Sequence, residues 1–145
     1  MNYIAHLHIA QQTETSLLGS FLGDFVKGSQ LHELPDALRI GIQLHRKVDV
    51  FTDAHSEVTS LKSSFPVSLR KMSGVVLDIY FDHLLMQHWS VYSSDQVEQV
   101  LAAFYSDLDG HDVSPSTRYE RVKQSLLQHQ GCRLKPPEPF GSVLN

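Results

Sequence analysis

Residues 35–53 read PDALRIGIQLHRKVDVFTD, and the fold class turns on this stretch. Pro35 followed by Asp36 suits a helix start, because the first turn has no amide partner to lose and a carboxylate meets the positive end of the helix dipole. From there Ile40, Leu44, Val48 and Phe51 recur at spacings of three and four, which predicts a helix with one apolar ridge running to about Thr52. His45, Asp49 and Asp53 stack at i, i+4 and i+8 on a neighbouring face. An imidazole nitrogen and a carboxylate oxygen placed so can converge on one ion or bond to each other. The same i, i+4 pair also occurs on ordinary exposed helices, and Asp53 reads as a cap for the turn that follows.

Upstream, a helix is predicted from about Thr15 to Lys27, capped by Thr15 or Ser16 and ended by Gly28-Ser29. Its buried stripe is Leu17, Leu18, Phe21, Leu22, Phe25 and Val26, with Asp24 at the margin and Gly19 and Gly23 on the opposite side. Glycine destabilises a helix interior by roughly 1 kcal/mol relative to alanine, so the pair points either to close approach of another backbone or to a loosely optimised helix. Before it, His6-Leu7-His8 points both imidazoles the same way if extended, a chelating geometry; the alternative is a satisfied core histidine beside an exposed one.

Downstream of Phe65-Pro66, a helix from about Ser68 to Ser90 runs through Met72, Val75, Ile79, Met86 and Trp89 and is expected to be the longest and most apolar. Asp78 and Asp82 lie one turn apart on it, among Val75, Leu85, Met86 and Trp89, followed by His83. Carboxylates on an apolar face cost several kcal/mol each unless compensated, roughly, by a cation, a shared proton or an arginine. A metal ion and an ion pair with Arg39, Arg46 or Arg70 are the two readings. A further helix from about Ser94 to Leu108 reads as structural, and a short amphipathic piece spans about Tyr119 to Gln128. Arg39, Arg46, Lys47, Arg70 and Lys71 form either a cationic rim or an ordinary solvated surface.

These readings give an all-α chain in the form of a compact helical bundle. At 145 residues and 41% hydrophobic content, one domain over residues 1–130 is expected, with an irregular Pro-rich tail at 131–145. The net charge of −4 marks no nucleic-acid or membrane-surface binder. A single cysteine, Cys132, no secretory pattern in Met1 to Ala10 and no long apolar run lead to the expectation of a soluble cytoplasmic protein. Phosphate loops, dinucleotide fingerprints, nucleophile elbows and zinc cysteine pairs are all absent. Any chemistry rests on His and Asp.

The opening MNYIAHLHIA at 1–10, GSFLGDFVKG at 19–28, GIQLHRKVDVFTD at 41–53 and DIYFDH at 78–83 together resemble the acyl carrier protein phosphodiesterase family, in order and spacing over roughly residues 1 to 105. The resemblance implies a helical fold related to the HD-domain phosphohydrolases, a divalent Mn²⁺ or Mg²⁺, and hydrolysis of the phosphodiester joining 4′-phosphopantetheine to a serine of acyl carrier protein. It places the family's aspartate on Asp24, its helical His and Asp on His45 and Asp49, and its aspartate-histidine pair on Asp82 and His83. The expected metal set is then Asp24, His45, Asp78, Asp82 and His83, with His6 and His8 as further candidates. Asp24, His45, Arg46 and Asp49 are the expected catalytic set, with His83 or His6 as proton donor. The partner would be acyl carrier protein, met by the basic rim. Other readings are an HD-type phosphohydrolase of a nucleotide or small phosphodiester, and an inactive carrier-binding remnant. Residues from about Gly110 onward do not follow the resemblance, which leads to the expectation of a shortened or altered C-terminal end.

Overall fold

Two glycines let a pair of helices approach backbone to backbone. A Cβ added to Gly19 would lie 2.8 Å from the Leu38 carbonyl oxygen, and one on Gly41 would lie 2.9 Å from the Gly19 backbone. Helices α2 (Leu17–Leu22) and α3 (Asp36–Ala54) therefore meet backbone to backbone, the first of the two readings of the upstream glycines. The structure, a computed structural model, describes residues 3–133, and these contain helices and no strand. The other helices are α1 (Tyr3–Gln12), α4 (Ser56–Ser64), α5 (Ser73–Gln87), α6 (Trp89–Tyr92), α7 (Val97–Gly110) and α8 (Thr117–Arg133). Short 3₁₀ turns occupy Gly28–Glu33 and Val67–Met72. Of the irregular tail predicted at 131–145, residues 131–133 instead end α8 and the rest lies outside the described residues, and among those described no helix is long and apolar enough to cross a membrane.

The core gathers Leu7, Leu18, Leu22, Ile42, Leu108 and Tyr119 around Phe21. The Phe21 ring lies 5.2 Å from Tyr3, 5.0 Å from Phe25 and 5.1 Å from Phe104, so α1, α2 and α7 share one aromatic centre. The stripe of α7 is buried as its spacing predicts, through Val100, Leu101, Phe104, Tyr105 and Leu108.

Five expectations change. The first predicted helix is shorter: Ser16 caps it by accepting from the Gly19 amide, and it ends at Leu22, while Phe25 and Val26 are buried from the turn beyond. His6 and His8 sit on a helix rather than an extended segment, because Leu7 and Ala10 are buried at helical spacing. On α3 the inward face is Leu38, Gly41, Ile42 and His45, whereas Ile40 and Phe51 of the predicted ridge are 52% and 72% exposed. The glycine contact with α2 selects that face, overriding the more hydrophobic one. The predicted 68–90 helix is broken into a 3₁₀ turn, α5 and α6, and α3, not this segment, is the longest. Its Met72, Val75 and Ile79 are exposed, while Leu77 and Trp89 enter the core. A further helix, α4, lies where no helix is predicted.

Candidate functional site

His45 points inward from α3 because α2 leaves it room. A Cβ on Gly23 would fall 2.3 Å from the His45 ring, so only glycine there admits the imidazole. Across from it, α1 brings His6, and the two rings stack with centroids 3.8 Å apart and planes 16° apart. Both imidazoles are almost wholly buried.

Asp49, one turn beyond His45, joins the pair. Its Oδ1 lies 3.0 Å from His6 Nε2 and its Oδ2 lies 3.1 Å from His45 Nε2, so one carboxylate spans both rings. Asp24, just past α2, approaches from the other side with Oδ1 3.4 Å from His45 Nε2. Burial disfavours a charged His45, but its bonds to Asp24 and Asp49 and their negative charges outweigh this and raise its pKa to about 9. Asp49 is likewise desolvated, yet bonds from His45 and His6 carry its carboxyl well below the usual carboxylate range. The two carboxylates therefore stabilise positive charge on His45.

The donors fit a divalent cation. His6, His45 and Asp49 each offer one ligand atom, all within 4.8 Å of one another, and among the described residues no other group of three does so. Asp24 Oδ2 is buried without a hydrogen-bond partner, a costly state for a carboxylate oxygen that a nearby positive ion would relieve.

The sequence-predicted residues divide accordingly. His45 and Asp49 come together as their spacing suggests, and Asp24 borders them. His6 enters the centre, while His8, two residues on, packs edge-on against Trp89 at 5.2 Å. Burial lowers the His8 pKa. Asp78, Asp82 and His83 of α5 stand outside the His–Asp cluster. Asp82 accepts hydrogen bonds from the Ile4 and Ala5 amides at 3.2 and 3.1 Å. Those two amides are the compensation that its burial requires, a capping role for the start of α1 that the choice between cation, proton and arginine overlooked. Burial raises the Asp82 pKa, opposed by these amide bonds. Asp82 thus secures the first turn of α1, the helix that carries His6. Arg46 donates to the Val26 carbonyl at 2.7 Å, and Asp53, read as a turn cap, instead pairs with Lys62 Nζ at 2.8 Å. The missing signal was at Gly23, whose partner across the contact no spacing rule identifies.

The profile of the family described as acyl carrier protein phosphodiesterase matches residues 1–133 of the chain. A relative from Serratia proteamaculans (strain 568), named acyl carrier protein phosphodiesterase, is 44% identical over 89 residues, covering 61% of this chain and 46% of the relative. A relative of the same name from Escherichia coli (strain K12 / DH10B) is 41% identical over 95 residues, covering 66% of this chain and 49% of the relative. The chain thus spans about half the length of the curated relatives it matches. No solved structure matches it.

Proposed function

The chain belongs to the acyl carrier protein phosphodiesterase family, and on that premise we propose that it hydrolyses the phosphodiester linking 4′-phosphopantetheine to a serine of acyl carrier protein, releasing the apo-carrier. The observation that carries this reading is the convergence of His6, His45 and Asp49 on one point, with Asp24 beside them. Two imidazoles and a carboxylate suit Mn²⁺ better than Mg²⁺, which favours a shell of oxygens. A divalent ion held by these three residues would supply Lewis acidity and a more acidic water. His and Asp donors gathered from adjacent helices also support relating the fold to the HD-domain phosphohydrolases.

The residues of the chain do the remaining work. Asp24, with its free Oδ2, accepts the proton of the attacking water. The water oxygen bonds to phosphorus, the bond from phosphorus to the serine oxygen breaks, and that oxygen takes up the proton held by Asp24 as the apo-carrier leaves. Asp49 keeps both imidazoles oriented through its two oxygens. Arg46, anchored on Val26, directs its remaining N–H groups toward the phosphoryl charge.

The test is to incubate the protein with holo-acyl carrier protein and Mn²⁺ and follow the carrier by mass. Loss of the phosphopantetheine arm, abolished by His45→Ala, is expected. An unchanged carrier mass with folded, cation-loaded protein would reject the reading, and turnover of small phosphodiesters alone would favour a nucleotide or small-molecule substrate.

A further inference from the structure

Helix α5 is apolar on both sides, the pattern of a helix covered all round. Leu77 enters the protein from its inner side, yet Val75, Val76, Ile79 and Tyr80 on its outer side face solvent. Leu69 and Met72 of the preceding 3₁₀ turn are three residues apart, so they eclipse one another and extend the same strip. These six residues are each 45–63% exposed. At 100° per residue the strip continues to His83, and no Asp, Glu, Lys or Arg falls on it. Asp82, at its border, is turned to the amides of α1.

We propose that this strip is a self-association surface, on which a second copy of the chain packs α5 against α5 about a twofold axis. The shape and charge of this occupant are those of α5 itself. Met72, Val76 and Tyr80 form one ridge at a spacing of four, Val75 and Ile79 form the next, and the groove between them receives the same ridge of another copy. A twofold contact sets a surface against itself, which penalises like charges, and an uncharged strip carries no such penalty. The exposed pair Val50 and Phe51 on α3 differs in this respect, because Arg46 and Lys47 beside it would meet their own copies. The exposed fractions of the six residues amount to roughly 600 Å² per copy, at the top of what a monomeric protein leaves in water as one apolar patch. Pairing two copies removes about 1,200 Å², the lower edge of the range for specific interfaces, so the dimer is a reversible one.

Sedimentation velocity over a concentration series of the full chain is the test, with Val75→Lys and Ile79→Glu on the strip and Val50→Glu on α3 as a control. All three positions are exposed, and circular dichroism checks helicity. Wild type is expected to pass from one chain to two as concentration rises, and Val50→Glu to do the same. Each strip variant should raise the dissociation constant by roughly tenfold or more. A wild type that stays one chain at every concentration overturns the proposal, whether the strip then binds apo-carrier, lipid vesicles or nothing. So does pairing that survives both strip variants, or that Val50→Glu abolishes. If both strip variants lose helicity, the strip is covered within its own chain and the proposal fails.

Discussion

Gly23 and His45 occupy one space: a Cβ on Gly23 would lie 2.3 Å from His45 Cγ and 2.7 Å from His45 Cβ. The imidazole cannot retreat, because His6 is stacked on it at 3.8 Å. Gly23→Ala is therefore expected to displace His45 from Asp24 and Asp49. Cation affinity and arm release should fall by roughly tenfold or more, since a ligand misplaced by an ångström loses most of its contribution. Calorimetric titration with Mn²⁺ checks this, and wild-type affinity in the variant would contradict the packing.

Asp49 holds both histidines, and its charge helps raise His45 to about 9. In the cation-free protein a raised histidine pKa means that the pairing stabilises the fold fully below its ordinary value near 6.5 and ceases to do so as pH rises through about 9. A cation must displace the same proton, so Mn²⁺ affinity is expected to climb as pH rises toward 9, with proton release on binding. Asp49→Asn should lower the histidine pKa and weaken Mn²⁺ binding by about tenfold to a hundredfold. Titrations in buffers of different ionisation enthalpy count the protons, and pH-independent binding would contradict the assignment.

Asp82 secures the start of α1 through two amides. Removing such a cap costs about 0.5–2 kcal/mol, so Asp82→Ala is expected to destabilise the protein by that order in urea unfolding. His6 lies within the capped turn, so Mn²⁺ binding should weaken as well. Asp82→Asn, which keeps an acceptor, should recover part of both. A loss of cation binding with no loss of stability would instead make Asp82 a ligand.

Tyr119 is buried at the centre of the core, and its hydroxyl has no partner among the described residues. Burial, with the charge of Glu120 adding to it, pushes its pKa from 10.0 up to about 12. A raised pKa favours the neutral form in the fold, so this stability is present below pH 10 and is lost as pH rises from 10 through about 12. Tyr119→Phe removes an unsatisfied polar group at little change of shape. It is expected to be neutral or stabilising by about 1 kcal/mol and to flatten the alkaline limb of the unfolding profile. Thermal melts from neutral pH to the alkaline edge of stability check both.

Local spacing settled the helical class, the stripe of α7 and the His45–Asp49 pair, and narrowed the α2 cap to Thr15 or Ser16, because each depends on residues within a turn or two of one another. Spacing failed on α3, where the apolar ridge of Ile40 and Phe51 faces outward: which side of a helix is buried depends on its neighbour, and here Gly19 and Gly41 made that choice. On α5 the half-buried Asp82 has hydrogen-bond partners seventy-odd residues away in the amides of α1, which no local spacing shows. The candidate centre divides the same way. The sequence by itself determined which side chains are available and that His45 and Asp49 share a helix face. Only the tertiary structure decided that His6, brought in from α1, completes the set, because convergence between helices is a matter of packing and not of period.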